Sequence, residues 1–394
     1  MTPGDERVKL YKHRNLQVIF GVTLMAVIGV ALIAPAFPRM ATALGVSKAS
    51  IGLLITAFTL PGIFLAPVIG VLSDHIGRKK VLLPSLLIFG LAGGACALAR
   101  DFNTLVILRV FQGIGASGLA SLATTLIGDL YEGQERATAM GYNASVLSVG
   151  TAAYPFIGGM LASIAWYYPF YVFLVAIPVG LIVILYLDNP EPEERPKMAG
   201  YLKNSLESVL NLKAFGAFGA GILTFIVLYG AYLTYFPFLL AESFTDDSRI
   251  IGALMMTMSI TTAIVASQAG RISSRISQGT AIKIGLIIYG ISLIILPLVN
   301  RLWLFLIPTL IFGVAHGLNI PALMTLVAGL APREQRGAVM SINATMLRLG
   351  QTLGPAIAGL AFLYLGINGV FYSIGVLAIG SSIVASAVGF LRTE

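Results

Sequence analysis

The stretch Gly70-Val71-Leu72-Ser73-Asp74-His75-Ile76-Gly77-Arg78-Lys79-Lys80 joins two long apolar segments and places several charged side chains in a short turn. The flanking segments, approximately 48–72 and 80–99, are long and apolar enough to cross a bilayer as helices. The charged hinge must therefore lie at a membrane surface, with one hydrophobic helix leaving it on each side. This unit predicts a bundle of membrane-spanning helices.

The composition of the 394-residue chain is that of a membrane protein: 57% of residues are hydrophobic and 11% are charged. Soluble globular proteins carry about 25% charged residues. The charges are clustered between apolar runs of about 20 residues, the length of a membrane-spanning helix. The single cysteine, Cys96, excludes an intrachain disulfide. The net charge of +8 lies mainly in short loops, so it indicates membrane orientation and argues against a nucleic-acid partner.

The apolar runs predict twelve spans, and an even number places both termini on the same side. Of the 25 Lys and Arg residues, 18 fall on that side, five fall on the other side and two lie inside spans. Positive charge concentrates on cytoplasmic loops. We therefore expect a prokaryotic cytoplasmic (inner) membrane protein with both termini cytoplasmic. The predicted spans are 16–38, 48–72, 80–99, 103–127, 137–162, 165–187, 214–240, 249–270, 281–299, 302–327, 337–363 and 368–391.

The chain divides into two similar halves. Its longest polar stretch, 188–197, contains three prolines that prevent a continuous helix. We predict an N-terminal six-helix bundle at 1–187, a cytoplasmic linker at 188–213 and a C-terminal six-helix bundle at 214–394. An offset of 200 residues aligns the halves without a gap over about 110 positions, pairing Pro155 with Pro355. The fold predicted is an all-α membrane protein whose two bundles are related by a pseudo-two-fold axis along the membrane normal.

Three motifs carry a family resemblance. The hinge 70–80 has Gly, Asp and Gly-Arg positions followed by basic residues, 108–116 has an Arg followed by Gln-Gly, and 150–159 is rich in Gly with a central Pro. They resemble the loop 2–3, fourth-helix and fifth-helix signatures of the major facilitator superfamily, most closely its twelve-helix drug:proton antiporter branch. Tyr154 replaces the usual Gly before Pro. The resemblance covers the full chain and implies the major facilitator fold and alternating access.

The resemblance also implies a conformational latch. Asp74 would lie at the amino end of span eleven near Gly337, while Arg78 would reach Asp129 at the end of span four. This cluster would hold the cytoplasmic side shut in the outward-open state and separate in the inward-open state. The alternative is that these are ordinary interfacial charges that fix topology. In the antiporter motif, close packing and bending are assigned to Gly150, Pro155, Gly158 and Gly159.

Two arginines, Arg109 and Arg348, lie inside spans, where a charge costs roughly 2.5–3.5 kcal/mol on insertion scales and usually faces an internal cavity. Arg109 occupies the family position associated with proton coupling; alternatively, it bonds backbone carbonyls of a kinked neighbour. His316 lies in the middle of span ten and could titrate near neutral pH, or be a hydrogen-bonded core residue. No Asp or Glu lies in the middle of a span. That pattern favours neutral, zwitterionic or anionic amphiphiles over dications and leaves the proton carrier unidentified.

The resemblance implies that spans one, four, seven and ten line a central pathway. Tyrosines at spacings of three lie roughly on one face of an α-helix and combine apolar area with a hydroxyl group. The alternative for them is an interfacial aromatic belt, which we expect for Tyr235. Asn143 and Asn343 are predicted to link helices, and Ser121 is a further lining candidate. The predicted coupling and substrate candidates are Arg109, Gln112, Arg348, His316, Asn319, Tyr229 and Tyr232.

The function predicted is secondary active, proton-coupled efflux of small amphipathic compounds, of the multidrug type, by alternating access. The alternatives are a carrier of organic anions, siderophores or lysolipids, and a non-transporting membrane scaffold. No enzyme is expected, because the three histidines lack metal-ligand spacing and neither a phosphate loop nor a nucleophile elbow occurs. We therefore expect no catalytic residue, metal or cofactor. The proton gradient would supply energy to a monomer whose partners are its substrate and the bilayer.

Overall fold

The structure is a computed structural model that describes residues 10–188, 212–330 and 336–388. Within these residues, eleven helices are long and apolar enough to cross a membrane. Nearly all of the predicted linker, 188–213, lies outside the described residues. The domain boundaries therefore stay predictions, whereas the two sets of helices on either side of the linker can be compared directly.

The last of the eleven helices contains two spans. Arg336–Val388 is interrupted at Gly366, whose φ of 69° and ψ of −174° are not helical and suit only glycine. The predicted twelve-span, all-helical architecture is thereby confirmed. The spans are α1 (Arg14–Leu44), α2 (Lys48–Ile76), α3 (Arg78–Leu98), α4 (Phe102–Leu130), α5 (Gly133–Ile164), α6 (Tyr168–Tyr186), α7 (Leu212–Ser243), α8 (Ser248–Ser267), α9 (Gln278–Leu298), α10 (Leu302–Ala328), α11 (336–365) and α12 (367–388).

The two halves meet at two equivalent helix crossings. A Cβ added to Gly52 of α2 would lie 3.0 Å from Cβ of Pro355 in α11, and one added to Gly252 of α8 would lie 2.3 Å from the carbonyl oxygen of Pro155 in α5. The second pair is the first pair with the 200-residue offset applied in opposite directions. This exchange is what a two-fold axis requires. The short 3₁₀ turns that end α3 and α9, Cys96–Leu98 and Leu296–Leu298, repeat at the same offset.

Adjacent glycines of α5 serve different contacts. A Cβ on Gly158 would lie 1.7 Å from the carbonyl oxygen of Leu32 in α1, and one on Gly159 would lie 2.3 Å from the carbonyl oxygen of Ser248 in α8. Small residues permit such close backbone approach in membranes. Gly158 therefore packs α5 into its own bundle, whereas Gly159 packs it against the other bundle.

We call the face at which α1 begins and α12 ends the inner face, and the opposite face the outer face. At the outer face, an ion pair between Lys48 and Glu242 joins the two bundles. Deeper, the hydroxyl groups of Thr59 and Thr352 lie 2.8 Å apart. Towards the inner face, α4 and α10 pack mainly against helices of their own bundles, and small polar side chains are exposed there. The exposed residues are Ser121, Thr124 and Thr325.

Candidate functional site: the path between the bundles

Arg109 is fully buried and holds three helices together. Its Nε donates to the carbonyl oxygen of Leu54 in α2 at 3.1 Å, and its Nη2 donates to that of Gly29 in α1 at 3.1 Å. The guanidinium carbon lies 4.2 Å from the ring centroid of Phe58. In this conformation Arg109 does not reach the space between the bundles. The alternative of bonding to backbone carbonyls is what the structure shows, and a part in coupling would have to act through the packing of α1, α2 and α4.

Gln112 completes the Arg109 cluster and does not line the path. Its Oε1 accepts a hydrogen bond from Arg109 Nη1 at 2.7 Å, and its side chain is fully buried. A Cβ on Gly93 of α3 would lie 2.5 Å from Gln112 Nε2, so the amide faces α3. The amide nitrogen has no hydrogen-bond partner. Direct contact of Gln112 with a substrate is therefore excluded in this conformation.

Arg348 differs from Arg109 because it crosses from one bundle to the other. Its Nη2 lies 3.4 Å from the carbonyl oxygen of Ser117 in α4. A Cβ on Gly62 of α2 would lie only 2.4 Å from its Nη1. Ser117 and the following Gly118 separate two helical segments within α4, Phe102–Ala116 and Leu119–Leu130. The Arg348 guanidinium therefore lies near the middle of the molecule, where α2, α4 and α11 meet.

The tyrosines of α7 do not share one face, contrary to the sequence expectation. Residues Val227–Tyr235 form a π-helix, whose i→i+5 bonds widen each turn and separate positions that are three residues apart. Tyr229 is half-buried, whereas Tyr232 is 1% exposed and stacks on Phe236 at 5.0 Å. Tyr232 thus belongs to the core of the C-terminal bundle, and Tyr229 is the tyrosine that remains accessible.

Tyr235 is likewise buried, which corrects its expected place in an interfacial aromatic belt. It is 0% exposed, and its ring centroid lies 5.4 Å from that of Phe362 in α11. Its hydroxyl has no hydrogen-bond partner. The π-helix turns this side chain towards α11, an orientation that the spacing of the tyrosines could not reveal.

His316 pairs with a tyrosine that the sequence gave no reason to select. One ring nitrogen, Nδ1, makes a short hydrogen bond with the hydroxyl of Tyr289 in α9. Tyr289 is fully buried, and its ring packs against Phe312 at 4.7 Å between centroids. His316 itself is half-buried. The pair lies within the C-terminal bundle, one turn along α10 from the stacked Phe312.

Three asparagines link helices inside the bundles. Asn143 of α5 accepts a hydrogen bond from Thr23 of α1 at 2.7 Å, as the predicted structural role requires. Asn319 of α10 donates to Thr224 of α7 at 3.2 Å, and its Oδ1 has no partner. Asn343 of α11 donates from Nδ2 to the Met324 sulfur of α10 at 3.7 Å, and its Oδ1 has no hydrogen-bond partner among the described residues. Asn319 thus joins two helices of the predicted path but is itself fully enclosed.

The inner-face cluster contains the predicted ion pairs. Arg78 is buried; its Nε donates to Asp129 Oδ2 at 2.9 Å, its Nη1 donates to Ser73 Oγ at 2.7 Å, and it makes a close ion pair with Asp74. All of these residues belong to the N-terminal bundle. The Arg78 pairs are therefore made within one bundle, and the separation of this cluster between two states stays a prediction. The predicted contact of Asp74 with the start of α11 lies outside the described side chains, which exclude 331–338.

The C-terminal bundle lacks this cluster. At the 200-residue offset, Gln278 occupies the position equivalent to Arg78, and Gly329 occupies the position equivalent to Asp129. A cavity of about 170 Å³ opens there between α8, α9 and α10, lined in part by Ser273, Gln278 and Thr325. The loss of charge that is visible in the sequence is thus accompanied by unfilled space.

The outer ends supply a contact that sequence reasoning missed. Lys48 begins α2 and Glu242 lies near the end of α7, and their ion pair connects the two bundles. Both border a cavity at the outer face, together with Arg39, whose Nη1 donates to the carbonyl oxygen of Ser163 at 2.9 Å. Opposite charges on loops of different halves were the available signal, but only the fold shows that these loops meet.

Two carboxylates at the outer helix ends are held ionised. Backbone hydrogen bonding from Thr104 lowers the pKa of Asp101, which caps α4. Hydrogen bonds from Arg249 lower the pKa of Asp247, which caps α8. A carboxylate whose pKa is lowered stays charged at neutral pH and is a poor carrier of a coupling proton. These two residues therefore act as helix caps.

The fold and the path define a secondary transporter. Residues 19–246 and 217–394 each match the model of the Major Facilitator Superfamily, and the chain belongs to this family. The resemblance of the three motifs to the drug:proton antiporter branch of this family is thereby confirmed, since curated relatives include proteins named for multidrug and quinolone resistance. Tyr154, the departure from the antiporter motif, has a structural use, since its hydroxyl donates to the carbonyl oxygen of Leu24 in α1 at 3.0 Å.

Among curated relatives, the chain is 29% identical over 361 residues to the bacillibactin exporter of Bacillus subtilis (strain 168), covering 87% of this chain and 89% of that one. It is 26% identical to multidrug resistance protein 2 of the same strain, with 88% of each chain covered. It is 24% identical to the quinolone resistance protein NorA of Staphylococcus aureus (strain Mu50 / ATCC 700699), covering 89% and 90%. The nucleoside transporter NupG shares the fold, with a TM-score of 0.80, 13% identity and coverage of 97% and 100%.

Proposed function

We propose that this protein exports small amphipathic compounds in exchange for protons by alternating access. The observation that carries the proposal is the pair of helix crossings, Gly52 on Pro355 and Gly252 on Pro155. They close the outer half of the path, and the proposed opening is at the inner half, where Ser121 and Thr124 of α4 are exposed. A path that is open on one side only is what alternating access requires.

The energetics and orientation follow from charge. The excess of Lys and Arg on the inner face makes that face cytoplasmic, so the present state receives substrate from inside the cell. Neither a nucleotide-binding motif nor a group of potential metal ligands is found in the described residues, and the proton gradient is the proposed energy source. The proposed coupling groups are His316 with Tyr289, and the Arg109 cluster acting through helix packing.

The inner-face cluster is proposed to organise the N-terminal bundle. Since Arg78 binds Asp74 and Asp129 within one bundle, these pairs fix the ends of α2, α3 and α4 relative to each other. The latch itself would be the further contact of Asp74 with α11. Arg78 would then position Asp74 for that contact without taking part in it.

The relatives support both leading functions named from the sequence. One curated relative is a bacillibactin exporter, and others are named for resistance to several drugs or to quinolones. Efflux of amphipathic compounds is the first candidate. A carrier of organic anions is the second candidate, because Arg348 has no acidic partner in the middle of any span.

Transport in proteoliposomes with an imposed pH gradient tests the proposal. A cationic dye and an anionic amphiphile are offered in parallel, and we expect substrate movement that requires the gradient and stops with a protonophore. Gly159→Val should abolish it, because the added carbons meet the backbone of Ser248 in the other bundle. Gly141→Val, on the same helix where an added Cβ has no neighbour within 4 Å, is the matched control. Substrate movement independent of the gradient would disprove proton coupling.

A further inference from the structure

The two intramembrane arginines are satisfied to very different degrees. Arg109 uses Nε, Nη1 and Nη2 as donors to protein acceptors and is 0% exposed. Arg348 makes one hydrogen bond in the described part of the chain, 3.4 Å long, to the carbonyl oxygen of Ser117. Its Nε and Nη1 have no protein acceptor there, and the residue is partly exposed. A guanidinium has five N–H donors, so most of those of Arg348 are available to a ligand.

Among the described residues, no carboxylate balances the charge of this cation. In the described residues, no carboxylate lies within 4.0 Å of the Arg348 guanidinium. Charged groups at membrane depth are normally paired with each other or line a path for charged substrates. Arg109 shows that this protein can satisfy a buried arginine with carbonyl groups alone. The absence of a comparable shell around Arg348 points to an external anion.

Aromatic side chains lie next to this cation. Phe225 of α7 packs beside α11, because a Cβ added to Gly350, two residues after Arg348, would lie 3.0 Å from the Phe225 Cβ. Tyr229 of α7 interacts electrostatically with Arg348. Its ring centroid lies 5.8 Å from that of Phe225, one helical turn away, and both rings are half-buried. Gly62 leaves room on the α2 side, because a side chain there would collide with Arg348 Nη1. A cation, a phenol and an aromatic ring therefore border the same part of the path.

We propose that Arg348, Tyr229 and Phe225 form the site that binds the ionised acidic group of an aromatic substrate. The guanidinium accommodates a carboxylate through two parallel N–H···O bonds. The Tyr229 hydroxyl supplies a further donor, and the Phe225 ring offers an apolar face for the aromatic part of the ligand. The inference rests on the proposed export function and narrows its substrate class to amphipathic aromatic anions.

The position of the site links binding to bundle movement. The single hydrogen bond of Arg348 in the described part of the chain joins α11 to the Ser117 carbonyl of α4 in the other bundle. A carboxylate forms shorter and stronger hydrogen bonds with a guanidinium than a neutral carbonyl at this distance does. A bound anion would therefore replace a contact between the bundles with contacts to the substrate.

Equilibrium binding to the purified full-length protein in detergent tests the inference, with 2-naphthoate and its neutral analogue 2-naphthamide as probes. Removing a hydrogen bond to a charged group of a ligand lowers the affinity for that ligand by about 10- to 100-fold. We expect Arg348→Gln to lose naphthoate affinity by this factor and to leave naphthamide affinity unchanged. Arg348→Lys keeps the charge but lacks the planar guanidinium that forms two parallel hydrogen bonds, so its naphthoate affinity should lie between those of the wild type and Arg348→Gln. Arg301→Gln, at an exposed outer helix end, should match the wild type, and thermal melting controls for folding.

Three outcomes would overturn the inference: a wild type that does not bind naphthoate, an Arg348→Gln variant whose naphthoate affinity stays within about threefold of the wild type, or an equal loss for both probes. Gradient-driven efflux of a neutral dye is measured on the same preparations. If the wild type transports nothing, the export function itself fails. If dye efflux persists while one of the three binding outcomes occurs, only the anion site is disproved.

Discussion

The crossing of α5 and α8 predicts how the outer face can be forced open. In Gly252→Ala, the added Cβ would lie 2.3 Å from the carbonyl oxygen of Pro155 and 3.2 Å from Cα of Gly159. Ordinary van der Waals contact begins at 3.4 Å, which leaves a shortfall of about 1.1 Å against a backbone oxygen. A backbone atom in a helix cannot rotate away as a side chain can. The two helices must therefore move apart at this point.

The free energy of this collision determines the size of the effect. Adding a carbon to a well-packed core costs typically about 1–3 kcal/mol. The collision exists only while the crossing is closed, so the whole cost falls on the outer-closed state. A difference of this size changes the ratio of two conformations by about 5- to 150-fold. Gly252→Ala should therefore increase the population that is open on the outer face by such a factor.

The assay is labelling of one cysteine by a membrane-impermeant maleimide applied at the outer face. The buried Cys96 is first changed to Ala, and Thr56→Cys is introduced at the other crossing, where Thr56 Oγ1 donates to the Thr352 carbonyl at 3.2 Å. This site reports movement of whole bundles. The control is Gly270→Ala, where an added Cβ meets nothing within 4 Å. Equal labelling rates in the parent and Gly252→Ala would refute the reasoning, as would an equal rise in the control.

Three further predictions concern anchoring, the outer ion pair and pH. Arg109→Lys keeps the charge but loses hydrogen bonds to backbone carbonyls that are worth about 1.5–3 kcal/mol each. The melting temperature should therefore fall clearly, and an unchanged melting temperature would contradict the anchoring role. Lys48→Glu or Glu242→Lys alone should raise the rate of outer-face labelling, because each variant breaks the ion pair between the bundles. The double variant, which exchanges the two charges, should return the rate to that of the parent; if it does not, a direct ion pair is excluded. Asp101 has a lowered pKa, so its cap on α4 is fully present above the ordinary value of 3.8 and is lost at lower pH; Asp101→Asn should abolish that part of the acid-dependent loss of melting temperature.

Much of the fold could be predicted from the sequence because hydrophobic length and charge determine membrane topology. The spans agree with the helices to within a few residues, and the 200-residue offset correctly indicated that Pro155 and Pro355 occupy equivalent places. The continuous helix Arg336–Val388 contains two spans and is divided at Gly366, where φ is positive. The sequence expectation placed this break between 363 and 368, since an apolar run of that length cannot be a single span.

The site was less predictable because it depends on helix rotation. Tyr229, Tyr232 and Tyr235 have the spacing of one helical face, yet the π-helix directs Tyr232 and Tyr235 into the core. Likewise, Arg109 and Arg348 look alike as intramembrane cations. Only the positions of backbone carbonyls distinguish the satisfied arginine from the available one, and a single sequence does not contain them.

The first half of the chain contains both members of a crossing, Gly52 and Pro155. Two copies of that half could therefore assemble into a homodimer in which both helix crossings are formed. Such a dimer would carry two copies of the Arg78 cluster but a serine, Ser148, in place of Arg348. The two halves thus share the crossing that holds them together, whereas the inner-face cluster belongs to the first half alone and the membrane cation Arg348 to the second.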